Sequence, residues 1–288
     1  MKTQLLRQSG LLVFALLLLL PGCAKVQMPE GASGATVEPN QALVYSSPNQ
    51  LQTIRTQGVL RVGFSLYVPW VMHDNQGKLI GYEIEVARQL AKDIGVEVQF
   101  VETSWPAILT GLLANEYDII ISGLALSPER ALLINFSQPY HHSANMLIAS
   151  RKIAGNTSSR ARFNTPRMTV GVVKGSMGEQ QLALALPKAT IVPFDSEARS
   201  FAALLDGKIS AIVASTPRTG YLLTKYKKSV YQPFAEPLST YAEGFGVRKG
   251  DADMLNFLNT WIQCNTQNGW LPARQKHWFD TIDWAKQL

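Results

Sequence analysis

Two cysteines and four histidines among 288 residues leave little material for metal or disulfide chemistry. Two cysteines form one disulfide at most, and with the histidines scattered at His73, His141, His142 and His277 no four-ligand site can be assembled. His141 and His142 are adjacent, and neighbours on one strand face opposite ways, so they do not share a metal. The short signatures of common catalysts are also missing: there is no Gly-x-Ser-x-Gly elbow, no His-Glu-x-x-His, no P-loop and no Gly-x-Gly-x-x-Gly fingerprint. Charged residues make up only 17% of the chain, and no Lys/Arg run interleaved with aromatics is present to track a phosphate backbone, which argues against a nucleic-acid partner. No cofactor is expected. What is present is globular: 46% of residues are hydrophobic, and the length corresponds to one large or two ordinary domains.

The first residues read as an address. Lys2 and Arg7 form a positive n-region, Leu11 to Leu20 is an unbroken apolar run, and Leu20-Pro21-Gly22-Cys23 closes it. Ten apolar residues fall short of the roughly 20 that span a bilayer. A small residue followed by Cys at the end of such a run resembles a bacterial lipobox, which implies cleavage before Cys23 and acylation of that residue. Several acyl chains would then hold the protein stably in the cell envelope, on its periplasmic or extracytoplasmic side. Residues 1–22 are thus expected to be a signal peptide and 23–46 a Gly/Ala/Pro/Ser-rich tether. Removing Lys2 and Arg7 lowers the formal charge from +6 to +4. Cys264 would be a lone thiol, read as a small buried residue on a helix.

From Ser47 the pattern is folded protein. Ser47 can cap a short helix that Gly58 stops, Val59 to Leu66 alternates as a strand, and Tyr82 to Ile94 places Ile84, Ala87, Leu90, Ala91 and Ile94 on one helical face. Val96–Phe100 is a period-two strand, a helix capped by Ser104 is expected over 106–115, and 117–124 is an apolar run suited to a strand buried on both faces. A second series repeats this order: strands at 169–173, 189–194 and 209–214 alternate with helices at 176–186, 196–206 and 217–225. Alternation of this kind predicts parallel-rich sheets flanked by helices in two α/β units. The chain is expected to pass between units near 144–153 and 237–246, and the tail from 252 onward to pack back on the first.

Ligands of such sheets collect beyond the carboxyl ends of the strands, where helix N-termini open into the crevice. Three crossings qualify. In Ser122-Gly123-Leu124-Ala125 followed by Ser127-Pro128-Glu129-Arg130, a capped helix start brings Arg130 to the crevice, where a guanidinium can grip a carboxylate with two parallel bonds. A solvated helix-start arginine is the equal alternative from position alone. Gly175-Ser176-Met177-Gly178-Glu179 is a capping box whose glycines permit close approach of an anion. Ser215-Thr216-Pro217-Arg218 is a third, more readily read as a surface helix start with Arg218 in solvent, because a cation at the positive end of a helix is mildly unfavourable. Tyr67, Trp70 and Trp105 lie near the same strand ends and could wall a pocket.

These residues, with Gly58 to Gly63, Gly77 to Ala87, Tyr117 to Gly123, Ser127 to Arg130, Asn135 to Tyr140 and Gly244 to Asp251, resemble the family 3 extracellular solute-binding proteins of amino-acid ABC importers. The resemblance implies an α/β, two-lobed periplasmic-binding-protein fold of type II with two crossing hinge strands, lobe 1 at 47–147 plus 245–288 and lobe 2 at 148–244. It places the carboxylate-binding arginine on Arg130, aromatic walls on Tyr67 and Trp70, a cleft-edge apolar residue on Trp105, and backbone or hydroxyl contacts on Ser122, Gly123 and the Gly175–Gly178 turn. Two positions depart from the pattern: Ala125 replaces a Ser or Thr, and Ser215 replaces the acid that receives the ligand's ammonium. Either Glu243 supplies that charge, or, with Arg218 adding positive charge to the rim, the ligand is an organic anion or a dicarboxylate. The implied partners are a small carboxylate-bearing solute and an ABC permease in the inner membrane, for a monomeric protein without catalysis. Two alternatives stand beside it: an enzyme resembling cyclohexadienyl dehydratases, and a ligand-sensing partner of a membrane receptor.

Overall fold

A computed structural model describes residues 49–288; the apolar leader, Cys23, the whole tether and Ser47 lie outside the described residues. The first helix, α1 (Gln50–Gln57), is capped by Asn49, whose side chain accepts from the Gln52 amide at 3.0 Å, and it ends at Gly58 with φ +72°. Then follow β1 (Val59–Phe64), a small hairpin of β2 (Met72–His73) and β3 (Leu79–Ile80), α2 (Tyr82–Ile94), β4 (Glu97–Glu102), α3 (Ile108–Leu113), β5 (Ile119–Ile120), α4 (Pro128–Ala131) and β6 (Asn135–Phe136). A ten-residue strand, β7 (His141–Ser150), and two short helices, α5 (Arg151–Ala154) and α6 (Arg160–Phe163), lead into the second series. That series is β8 (Thr169–Val173), α7 (Met177–Ala185), β9 (Thr190–Phe194), α8 (Glu197–Leu205), β10 (Ala211–Ser215) and α9 (Thr216–Lys225). The chain closes with β11 (Val230–Tyr231), β12 (Ser239–Glu243), β13 (Gly246–Val247), α10 (Ala252–Gln267) and α11 (Trp270–Gln275).

One sheet has the order β4-β1-β5-β13-β6, its first three strands parallel. The other has the order β11-β7-β10-β8-β9, with β8, β9 and β10 parallel and β12 pairing with β7. After each parallel strand the chain crosses through a helix, which buries the apolar stripe that periodicity had marked: Ile84, Ala87, Leu90, Ala91 and Ile94 of α2 are all buried. Strand β7 and its antiparallel neighbour β12 run side by side from His141↔Glu243 to Asn145↔Ser239. All the described elements belong to the compact unit Ser46–Leu288.

Three expectations change. The strand expected over 117–124 pairs only at Ile119–Ile120, because Ser122 leaves the ladder to accept from the Ser65 amide at 3.0 Å through its hydroxyl, and Gly123 turns the chain with φ +60°. The helix expected from Pro106 begins as a 3-10 turn, Trp105–Ala107, and Ser104 makes no side-chain cap. Cys264 is exposed on α10 rather than buried. The tail does return to the first sheet's surroundings: Trp261 donates to Asp93 of α2 at 2.7 Å and Gln275 to the carbonyl of Tyr140, in the segment before β7, at 2.8 Å. It also goes further, since Trp284 is 1% exposed and stacks on Tyr221 of α9 with ring centres 5.3 Å apart.

Candidate functional site

The carboxyl ends of β1 and β5 face those of β8, β9 and β10 across a cleft of about 740 Å³, its open mouth included. Of the residues expected there, Tyr67, Trp105, Ser122, Gly123, Ala125, Ser176 and Met177 line it. Gly123 is required where it stands: a Cβ would come within 3.0 Å of the Trp70 ring, and φ is positive. Ser176 caps α7 by accepting from the Glu179 amide at 3.2 Å.

Arg130 lies directly behind this wall. Its Nη1 donates to the Ala125 carbonyl at 2.7 Å, its Nη2 to the Gly175 carbonyl at 2.9 Å, and the guanidinium sits 5.6 Å over the Trp105 ring. The side chain is buried, and it has no ion-pair partner among the described residues. Burial disfavours the charged form and lowers its pKa, with Glu129 only partly opposing that effect. A cation so placed is electrostatically unsatisfied.

Trp70, Gly175, Ser215 and Arg218 stand outside the wall. Trp70 is 1% exposed, stacks on Tyr67 at 4.9 Å and donates its Nε1 to Glu243 at 3.2 Å, so it supports the wall without forming it. Ser215 meets Tyr67 across the cleft: its amide donates to the Tyr67 hydroxyl at 3.0 Å, and the two hydroxyls are 2.9 Å apart. Burial and nearby Glu197 push the Tyr67 phenol up to about 12. The solvent-facing reading of Arg218 is corrected. It is buried, its Nε and Nη2 grip both oxygens of Glu197 at 3.0 and 3.1 Å, and it packs 5.0 Å over Tyr221. It therefore adds no net positive charge to the rim.

Glu243 is also placed differently from the expectation that it supplies the charge for a ligand's ammonium. It is buried at the hinge, where its Oε2 bonds Trp70 and, at 2.9 Å, His141 Nδ1. It is not part of the wall. Beside it, Glu83 accepts from the Gly123 amide and the Tyr140 hydroxyl at 2.8 and 2.6 Å through one oxygen, while the other has no partner. Burial, with Glu243 adding to it, pushes the Glu83 carboxyl up to about 8.

Sequence reasoning passed over Glu197, Asn145, Ser196, Val213 and Tyr241, all of which line the cleft. The signal for Ser196-Glu197 was available: it opens α8 directly after β9, by the same crossing logic that drew attention to Ser127 and Ser176. Asn145, on the long strand, and Tyr241, on β12, had no such signal, because nothing local marks which face of a hinge strand meets the cleft. Among the described lining residues there is no His, Cys or Lys, and no group of metal-ligating side chains occurs among the described residues. Glu197 is the one acid in the wall and is held by Arg218. The arrangement has the attributes of a binding cleft: apolar walls, serine hydroxyls, and a buried cation directly behind the wall.

A family model of bacterial extracellular solute-binding proteins, family 3, matches residues 60–281. The L-cystine-binding protein TcyJ of Escherichia coli is 28% identical over 237 residues, which cover 82% of this chain and 88% of that protein. The cyclohexadienyl dehydratase of Pseudomonas aeruginosa is 25% identical over 244 residues, 83% of this chain and 89% of that one. Among solved structures, an ancestral amino acid-binding protein, a precursor of cyclohexadienyl dehydratase, shares 32% identity and aligns with a TM-score of 0.72 over 80% of this chain and 99% of its own. The fold is that of the type II periplasmic binding proteins, as the sequence resemblance implied.

Proposed function

Since the chain belongs to the family 3 bacterial extracellular solute-binding proteins, we propose that it captures a small carboxylate-bearing solute, an amino acid or an organic anion, and delivers it to an ABC importer. The observation that carries this reading is Arg130: a buried guanidinium with no ionic partner among the described residues, directly behind the cleft wall. Two of its five N–H groups are engaged by backbone carbonyls, so donors remain for a solute carboxylate, and a charge-assisted bond there would offset the cation's burial. Tyr67, Trp105 and Met177 would enclose the solute's body, with Ser122 and Ser176 offering hydroxyls and Gly123 backbone. Lobe 1 is proposed as 47–147 plus 245–288 and lobe 2 as 148–244, a boundary that falls inside β7, with β7 and β12 as the hinge.

The protein is proposed to bind without catalysis. A dehydratase needs a proton donor in its cleft, and the acid in this wall, Glu197, is held by both oxygens in an ion pair with Arg218. Attachment through acylated Cys23 on the extracytoplasmic side of a membrane belongs to the same proposal, and Cys23→Ser is expected to release the protein into the soluble fraction. The test of binding is a thermal-shift screen of the chain from Ala24 onward against amino acids, mono- and dicarboxylates, prephenate and arogenate, with product analysis for the last two. A rise in melting temperature that grows with the logarithm of solute concentration supports capture. Conversion of prephenate or arogenate would replace this reading with the enzymatic one. Docking to a sensor in place of a permease is separated from import by uptake assays in a strain lacking the protein.

A further inference from the structure

The charges around the cleft sum unevenly, and the imbalance specifies the solute. Glu197 and Arg218 cancel as a buried pair on α8 and α9, and Glu197 is the one carboxylate among the described lining residues, which hold no Lys, Arg or His. Glu243 is bonded to Trp70 and His141 behind Trp70, away from the wall. Asp195 is exposed and bonded to Arg199. What remains is Arg130, a buried cation with no ion-pair partner among the described residues, whose burial Glu129 only partly offsets. A solute that neutralises this cleft has a net charge of −1, whereas a zwitterion leaves it charged and brings an ammonium group for which no free carboxylate waits. A second carboxylate would likewise lack a cation, because Arg218 is already taken.

We infer that this cleft selects a monocarboxylate with an uncharged, largely apolar body, a 2-oxo or 2-hydroxy acid, over the amino acid of the same skeleton. The inference rests on the carboxylate reading of Arg130 proposed above. The wall fits such a body: Leu66, Val173, Met177 and Val213 supply apolar surface. Ser65, Ser196 and Asn145 supply neutral hydrogen-bonding groups that suit a carbonyl or hydroxyl oxygen where an amino acid would carry its ammonium. Discrimination follows from what is left unpaired. An uncharged oxygen is satisfied by a serine or an amide, while a buried ammonium in the same place is not.

Isothermal titration of the chain from Ala24 onward, which retains the whole compact unit, tests this with two matched series. One comprises 4-methyl-2-oxopentanoate, 2-hydroxy-4-methylpentanoate, L-leucine and 3-methylbutylamine; the other comprises phenylpyruvate, phenyllactate, L-phenylalanine and phenethylamine. The expected result is that an oxo or hydroxy acid binds at least tenfold more tightly than its amino acid, and that neither amine binds. Equal or tighter binding of the amino acid would overturn the inference while leaving the carboxylate reading intact. Failure of every carboxylate to bind, or binding of the amines alone, would overturn both. Ser215→Asp provides a second arm, since it places a carboxylate beside Tyr67 at the cleft edge. With its fold verified by circular dichroism, this variant is expected to shift the preference at least tenfold toward the amino acid. An unchanged preference in a folded variant would show that the missing carboxylate is not what selects the solute.

Discussion

A buried guanidinium held only by backbone carbonyls and an aromatic face is costly to maintain, and Arg130 is held in that way. Arg130→Ala is accordingly expected to weaken solute binding by about 2–5 kcal/mol, the range for truncating one partner of a buried charge pair, as read by titration calorimetry. Retained affinity would remove Arg130 from the site. Glu83 makes a different prediction. Its carboxyl titrates near 8 when folded and, like an ordinary glutamate, near 4.5 when unfolded. Between those values the folded chain holds a proton that the unfolded chain releases, so stability is full below about 4.5 and falls as pH rises through about 8. Tyr140, the Gly123 amide and Glu243 face this group, and the isosteric Glu83→Gln keeps the neutral form at every pH. Its melting temperature is expected to vary less than that of the parent between pH 5 and pH 8.5 in thermal denaturation. At this scale the sequence made Tyr67, Trp105, Ser122 and Ser176 legible, because each follows a strand or opens a helix. It could not show that Arg218 is neutralised, since its partner Glu197 lies 21 residues earlier and the two meet only once α8 and α9 pack together.

Among elements, legibility follows periodicity. The apolar face of α2 repeats cleanly, and its observed span, Tyr82–Ile94, is the expected one. Strand β5 has a continuous apolar run with no period to bound it, and side-chain bonding at Ser122 ends its ladder early. The two-residue strands β2 and β3 are held by the Asp74 turn, whose side chain accepts from the Gln76 and Lys78 amides at 2.9 Å, and strands that short carry no period to read. The pairing of α8 with α9 through Glu197 and Arg218 is open to test. Glu197→Gln leaves Arg218 buried without an anion and is expected to cost about 3–5 kcal/mol of folding stability in urea denaturation. Replacing both residues with apolar ones of similar volume, Glu197→Leu with Arg218→Met, is expected to recover most of that loss, because the pair's attraction is largely offset by its desolvation. If the double variant is as unstable as the single one, the pair does more than satisfy itself.

At the scale of the whole molecule, the two sheets are linked by three kinds of connection: the strands β7 and β12, the tail ring Trp284 against Tyr221, and the hydrogen bonds that cross the cleft. Covalent strands permit bending, so in the proposed hinge a balance between open and closed forms would rest on the other two. Tyr67 and Ser215 contribute two crossing bonds, and Arg130 to Gly175 contributes one. A typical hydrogen bond adds about 0.5–1.5 kcal/mol net, and in an open form these groups would bond water instead, so the crossing bonds favour closure without locking it. Tyr67→Phe keeps the aromatic wall and its stacking on Trp70 while removing the two bonds to Ser215. It is therefore expected to shift the equilibrium toward the open form by ~1–3 kcal/mol and to weaken apparent solute affinity by at most the corresponding factor, because a cleft that must close on its solute loses affinity in proportion to the closed fraction. Small-angle scattering reads the first effect as a larger radius of gyration without solute, and titration reads the second. If affinity falls while scattering does not change, Tyr67 acts on the solute directly and closure depends on Arg130 and the tail.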